Sequence, residues 1–268
     1  MATLPSLFIS HGSPATILNP GKVGDALAQL VADLPTPRAI LVASAHFPAQ
    51  EPIVSSASQP ETIHDFGGFP DALYQMRYPA PGNPALAKEV RKLLEKAGFT
   101  AHEDASRGFD HGVWEPLKML YPNADIPVVS LSIEPYKSPE YHFQIGRALA
   151  TLREQGVLII GSGSITHNLE DVFIHRKSSS DYVEPFIDWI EDRLSANDIN
   201  ALLDYRQQAP FAVEAHPSDE HLLPIYVAMG AAGSATLNAQ RIDAGINDGV
   251  LAMDIYRFDG LKANGAAA

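Results

Sequence analysis

The stretch SLFISHGSP, residues 6–14, places a short apolar run directly before a histidine and a sharp turn. Its first five residues, 6–10, are three consecutive apolar residues with a serine on either side. This pattern favours a strand buried on both faces. The strand then ends at His11, and the Gly-Ser-Pro that follows indicates a turn. A histidine at the end of a buried strand is a feature to look for elsewhere in the chain.

Strand and helix patterns alternate along the rest of the sequence. Continuous apolar runs predict three more buried strands: Ala39–Ala45, Ile126–Ile133 and Gly156–Gly161. Apolar residues spaced three and four apart predict helices: Val23–Leu34, Pro84–Ala97, Pro139–Gln155, Asp181–Leu194 and Glu220–Met229. Alternating patterns predict strands at Ala235–Asp243 and Gly249–Tyr256, and the Pro- and Gly-rich stretch Pro48–Pro81 predicts a long loop over a site.

This alternation predicts an α/β fold with one domain, residues 1–259. We expect a central, mostly parallel or mixed β-sheet flanked by helices on both faces. The remaining residues, 260–268, are expected to form a frayed tail.

The composition limits the kinds of partner. The chain of 268 residues has a formal net charge of −13, which argues against nucleic acid and anionic membranes as partners. It contains no cysteine, so a metal would have to be held by His, Asp or Glu. No apolar run approaches the roughly 18 residues of a membrane span, and the N-terminus lacks a signal-peptide pattern. We expect a cytoplasmic protein that is a monomer or a small homo-oligomer.

Two further histidines follow predicted strands. AILVASAHFP, residues 39–48, carries His46 near its end, and GVLIIGSGSITHNL, residues 156–169, carries His167 a few residues after its strand. Ligands of open α/β sheets bind beyond the carboxyl ends of the strands, so these rings and His11 could share one crevice. Converging neutral imidazoles indicate a metal site. Imidazole also suits proton transfer near neutral pH, and both uses could coexist.

Six short motifs occur in a fixed order: HGSP at 11–14, SAHF at 44–47, TIHDFGGFP at 62–70, GFDHGVW at 108–114, THNL at 166–169 and EHLLP at 220–224. YPAPG at 78–82 and YPNADIPVV at 121–129 lie between them. Together they resemble the LigB-type extradiol ring-cleavage dioxygenases, in particular the 4,5-DOPA dioxygenase group. The resemblance extends from about residue 5 to about residue 255.

The resemblance implies a set of metal ligands. His11, His46 and His221 match the three ligands of the DOPA dioxygenase group. Other branches use a glutamate as the third ligand, and Glu220 lies beside His221. On a helix these neighbours would point about 100° apart, so only one of them could face the metal.

The resemblance also implies residues that face the substrate. His167 matches the histidine assigned as acid/base, which could become a fourth ligand when zinc replaces iron. His111 matches a second catalytic histidine. His64, in the long loop, is expected in the pocket wall, and Ser13 of HGSP is expected to bind substrate.

For several other residues, the sequence gives weaker support for a role in the site. Asp65 and Asp110 flank histidines, and could either orient an imidazole or cap a turn. His216 could support the site or mark a helix entry, whereas Trp114 and Phe69 are expected to pack rather than stack on substrate. His102, His142 and His175 are expected to be structural or exposed. GSGS at 161–164 lacks the ending of a phosphate-binding loop.

The resulting hypothesis is a non-haem Fe(II) extradiol dioxygenase that opens the ring of a catechol with O₂ and yields a semialdehyde. Iron held on one face would leave positions open for both reactants. Zinc could occupy the same histidines in purified protein. The alternatives are a zinc hydrolase with His167 as proton shuttle, and a metal-binding protein without catalytic activity.

Overall fold

A computed structural model describes residues 3–174, 181–233 and 236–260. Within these residues the strands are β1 Ser6–Ser10, β2 Ala39–Pro48, β3 Ile53–Ser55, β4 His102–Asp104, β5 Val128–Ile133, β6 Val157–Gly163, β7 Asn238–Ile242, β8 Ile246–Asn247, β9 Leu251–Ala252 and β10 Ile255–Asp259. The α-helices are α1 Gly21–Ala32, α2 Asp71–Gln75, α3 Pro84–Lys96, α4 His111–Leu120, α5 Pro139–Leu149, α6 Leu169–Phe173, α7 Val183–Ser195, α8 Ile199–Leu203, α9 Tyr205–Gln208, α10 Ala212–Ala215 and α11 Leu223–Ala231.

Eight of the strands form one sheet in the order β4-β3-β5-β2-β6-β1-β10-β7. The four central strands, β5, β2, β6 and β1, are parallel to one another. β10 runs antiparallel to β1, and β3 runs antiparallel to β5. The prediction of an α/β fold with a mixed central sheet is therefore confirmed.

Strand β6 shows that helices cover both faces of the sheet. Side chains alternate between the two faces of a strand. A Cβ on Gly161 would lie 2.1 Å from the Pro224 carbonyl oxygen of α11. The hydroxyl of Ser162, the next residue, instead donates to the Gly112 carbonyl of α4. Helix α11 thus packs on one face and α4 on the other, as predicted.

Helix α4 is an element that the sequence patterns did not predict. Gly112 and Pro116 interrupt the helical pattern, because glycine disfavours a helix and proline cannot donate to the residue four positions before it. The helix forms nonetheless, and eight of its ten residues are buried. Packing against β2, β6 and α1 outweighs the poor local propensity.

Three other predictions need correction. The helix predicted from Glu220 begins only at Leu223. The long loop Pro48–Pro81 contains the short strand β3 and the helix α2. The strand predicted at 249–256 is divided into β9 and β10, because Met253 and Asp254 turn away to contact other backbone segments. The Met253 amide donates a hydrogen bond to the Gly245 carbonyl, and the Asp254 carbonyl accepts one from the Ser10 amide.

Some predicted features fall outside the described residues, namely His175, the start of the strand predicted from Ala235, and residues 261–268 of the predicted tail. In the described part of the chain, no helix combines the length and the apolar character needed to cross a membrane.

Candidate metal centre and active site

Three imidazoles converge at the carboxyl ends of the central strands. His11 directly follows β1, His46 lies near the end of β2, and His221 lies in the turn before α11. The Nε2 atom of His46 is 3.1 Å from Nε2 of His11 and 3.1 Å from Nε2 of His221. The structure therefore brings together the three histidines that the family resemblance marked as ligands.

The end of β6 fixes the backbone of two of these residues. The Gly163 carbonyl accepts a hydrogen bond from the His11 amide at 3.0 Å, and the Ser164 amide donates to the His221 carbonyl at 2.8 Å. A Cβ on Gly163 would lie 2.0 Å from that same His221 carbonyl oxygen, so only glycine permits the approach. GSGS is thus a close-packing segment between the two histidines.

The third histidine is held by a polar network. Asp110 is fully buried and accepts from the Ser44 hydroxyl at 2.7 Å and from the Arg107 guanidinium at 2.6 Å. The same guanidinium donates to the His46 carbonyl at 3.0 Å. Asp110 therefore anchors the segment around His46 through Arg107. Among the described residues, its hydrogen bonds go to Ser44 and Arg107 and not to an imidazole, so the role of orienting a histidine is not seen.

In each of the three rings, a side-chain oxygen atom of another residue lies next to Nδ1. His11 Nδ1 lies 3.0 Å from the Ser162 hydroxyl, and His221 Nδ1 donates to Glu220 Oε1 at 3.0 Å. His46 Nδ1 lies 3.4 Å from Asp65 Oδ2. Acceptors at Nδ1 place the ring proton there and leave the Nε2 lone pair free for a metal. Glu220 lies on the Nδ1 side of His221. Both residues precede α11, so the expectation that they point about 100° apart, which holds for neighbours on a helix, does not apply to them.

The electrostatics of the cluster favour a bound cation. Burial, together with the neighbouring imidazoles, lowers the pKa of His11, His46 and His221 well below the ordinary range. The rings are therefore neutral and keep their lone pairs. The ligand atoms of the three rings lie within 4.8 Å of one another, and lone pairs held this close repel one another unless a cation lies between them. Nitrogens bound at about 2.1 Å to one ion, about 90° apart, are about 3.0 Å from each other. The two Nε2–Nε2 distances of 3.1 Å from His46 match this value.

His111 lies beside this cluster and is fixed by Asp65. Its ring centroid is 3.9 Å from that of His46. Asp65 accepts the His111 amide at Oδ1 and the His111 Nδ1 proton at Oδ2, both at 2.9 Å. Burial opposes ionisation of Asp65, but these hydrogen bonds hold the pKa of its carboxyl at about 2. Asp65 thus orients an imidazole, one of the two roles considered for it, and holds a His111 ring proton at Nδ1.

His167 lies directly against the cluster. Its ring stacks on that of His221, with centroids 3.4 Å apart and planes 9° apart. Burial, with smaller contributions from His216 and His111, lowers the pKa of His167 to about 3. The ring is therefore neutral at physiological pH. His216 is fully buried and donates from Nε2 to the Ile165 carbonyl at 2.7 Å, which supports the segment that carries His167.

A cavity of about 720 Å³ opens above the histidines. Ser13, which was expected to bind substrate, lines this cavity, and so does Phe69, for which packing was expected. Phe66, which no motif argument singled out, lines the wall and meets His111 edge-on at 5.7 Å. The volume is within the range of small-molecule sites.

His64 is not among the residues that line this cavity. Its Nε2 atom bonds the Met76 carbonyl at 3.1 Å, and its ring packs against Phe66 and Trp114. The structure therefore places it behind the wall rather than in it. The indole of Trp114 donates to the Ile63 carbonyl at 2.9 Å, which agrees with the expected packing role.

Two other histidines lie away from the cavity. His102 pairs with Glu51 on the surface. His142 is buried; it donates from Nδ1 to the Ser138 carbonyl and accepts the Glu134 amide at Nε2. Both agree with the expected structural or exposed roles.

The fold and the site together define an α/β protein with a cluster of three histidines that could hold a metal ion, next to a cavity of substrate size. A family model described as the catalytic LigB subunit of aromatic ring-opening dioxygenase matches residues 7–247. The chain belongs to this family of extradiol, aromatic ring-opening dioxygenases, whose members depend on a metal.

Relatives are found in plants and bacteria. A 4,5-DOPA dioxygenase extradiol of Portulaca grandiflora is 40% identical over 94% of this chain and 95% of its own length. A protein of the same description from Escherichia coli K12 is 39% identical over 85% of each chain. The crystal structure of an uncharacterized protein from Escherichia coli K12 superimposes with a TM-score of 0.78 at 32% identity, covering 95% of this chain and 99% of that one.

Proposed function

We propose that the protein is a non-haem Fe(II) dioxygenase that opens the ring of a catechol, DOPA or a related compound, and yields a semialdehyde. The observation that carries this proposal is the convergence of three neutral Nε2 atoms, those of His11, His46 and His221, beside a cavity that His46 and His221 line. The donor set contains imidazoles alone, which suit iron and zinc alike. The description of the relatives as 4,5-DOPA dioxygenases supports the choice of iron and of a catechol.

In this proposal His11, His46 and His221 hold the metal. When bound, the ferrous ion would acidify the catechol hydroxyls and bring the two reactants together. Ser162, Asp65 and Glu220 keep the three rings oriented through their Nδ1 atoms. Such outer partners are typically worth about 10–100-fold in metal affinity or activity.

Two histidines would handle the catechol protons. His167 and His111 both line the cavity and are both next to a proposed ligand. We assign the acid/base role to His167, which would take a hydroxyl proton on a ring nitrogen and later return it. His111 has a fixed Nδ1 proton, so its Nε2 atom would accept a hydrogen bond from the second hydroxyl.

The cavity walls would orient the ring and exclude water. Phe66 and Phe69 form one apolar side, and Leu169, Val172 and Phe173 add apolar surface from α6. Ser13 offers a hydroxyl that would bind the substrate at the wall. A catechol ring between apolar surfaces would be desolvated while its hydroxyls meet the histidines.

The test is a panel of catechols assayed after anaerobic loading with Fe(II) and then exposure to air. We expect at least one catechol to give a yellow ring-opened product with Fe(II), and much less with Zn(II). Hydrolytic activity in the zinc-loaded form without oxygen would support the hydrolase instead. Tight metal binding without turnover of any catechol would indicate a protein that only binds metal.

A further inference from the structure

Ser162 lies in strand β6 between His11 and helix α4, and its side chain is completely buried. Its hydroxyl oxygen is 3.0 Å from Nδ1 of His11 and 2.5 Å from the Gly112 carbonyl oxygen. A serine hydroxyl has a single proton to donate. Only one of the two contacts can therefore use that proton.

The carbonyl of Gly112 takes the proton, because a carbonyl can only accept a hydrogen bond. In a regular helix this carbonyl would accept the amide proton of the residue four positions later. That residue is Pro116, which has no amide proton. Proline thus leaves the Gly112 carbonyl available, and the buried Ser162 hydroxyl supplies the donor that it needs.

With the hydroxyl proton committed to Gly112, the oxygen of Ser162 can only accept from His11. His11 must then carry its proton on Nδ1, and its Nε2 atom keeps the lone pair that faces His46 at 3.1 Å. We propose that Ser162 is a positioning residue that fixes the tautomer of His11 and so prepares it to bind metal, with Pro116 making this possible. The inference rests on the proposed role of His11 as a ligand.

Substitution Ser162→Ala tests this directly. Without the acceptor, the His11 proton would move to Nε2, where the His46 ring offers an acceptor. We expect two-dimensional ¹H–¹⁵N NMR of the metal-free protein at pH 8 to show His11 as the Nδ1–H form in the parent chain and as the Nε2–H form in the variant. The His11 signals are assigned by their loss in His11→Gln. The dissociation constant for Zn(II) should rise by about 10–100-fold.

Ser130→Ala is the matched control. Ser130 is a buried serine in strand β5 of the same sheet, which β2 separates from β6, and its hydroxyl has no hydrogen-bond partner within the described residues. This change should alter neither the His11 tautomer nor zinc affinity. The proposal is overturned if Ser162→Ala keeps the Nδ1–H form, or if it binds zinc as tightly as the parent. Failure of the parent chain to bind zinc at all would instead contradict the proposed metal site.

Discussion

The three converging imidazoles each depend on a separate support, so the loss of one ring should not be compensated by the others. Replacing His11, His46 or His221 with Ala should lower the metal content per chain by at least about tenfold, since loss of a ligand should exceed the effect of an outer partner. Metal content after dialysis measures this. If His221→Ala keeps its metal while Glu220→Ala loses it, the third ligand is the carboxylate.

His167 is expected to act on protons rather than to hold the metal. A general acid/base typically contributes about 10²–10⁴-fold to the rate. His167→Gln should therefore lower kcat by about that factor while iron content and substrate affinity stay near those of the parent. Loss of iron in proportion to activity would make His167 a ligand. Retention of both would make it structural, and His111 would become the candidate for the base.

Much of the site could be predicted from single residues, because a histidine after a buried strand is visible in the sequence. His11, His46 and His167 were found in this way, whereas His221 needed the family resemblance because it lies in a turn. Ser162 was not found, since its partners, His11 and Gly112, are 151 and 50 positions away. His64 was placed in the wall because it lies in the right loop, but its ring faces an aromatic cluster behind the wall.

The contact between β6 and the turn before α11 sets the position of His221. Gly163→Ala would put a methyl group 2.0 Å from the His221 carbonyl oxygen, so the turn must move away. We expect weaker metal binding and a lower melting temperature. Gly67→Ala is the control, because a Cβ there meets nothing within 4 Å. Unchanged metal affinity in Gly163→Ala would show that the turn is free to shift without displacing the ligand.

The elements themselves were predictable where local pattern and burial agree. β1, β2, β5 and β6 were predicted because each is a continuous apolar run covered on both faces. Helix α4 was missed because Gly112 and Pro116 are unfavourable locally and are compensated only by packing and by Ser162. The divided strand near the C-terminus was missed because the Met253 and Ser10 backbone contacts that turn the chain there are not local.

The stability of the whole fold should depend on pH through Glu115. This residue of α4 is fully buried, and burial raises the pKa of its carboxyl well above the ordinary range. A hydrogen bond with the Ile17 backbone lowers that pKa, but by less than burial raises it. A carboxyl with a raised pKa contributes stability that is complete below the unfolded pKa, about 4.3. That contribution is lost as the pH rises toward the folded pKa, by at most about 1.4 kcal/mol per pH unit.

Glu115→Gln cannot ionise, so its free energy of unfolding should fall less than that of the parent chain between pH 5 and pH 8. Urea denaturation at several pH values measures the difference. The exposed Glu154→Gln serves as the control and should follow the parent. Parallel pH curves for the parent and Glu115→Gln would contradict the raised pKa.

The central claim, that this chain opens a catechol ring with both atoms of O₂, is tested most directly by isotope labelling. The Fe(II)-loaded protein is given a catechol that it turns over under ¹⁸O₂, with oxygen uptake and product mass recorded together. The account predicts about one O₂ consumed per catechol, as for a dioxygenase, and two ¹⁸O atoms in the product once exchange of the aldehyde oxygen with water is corrected for. Product formed without oxygen uptake, or with oxygen derived only from water, would contradict it.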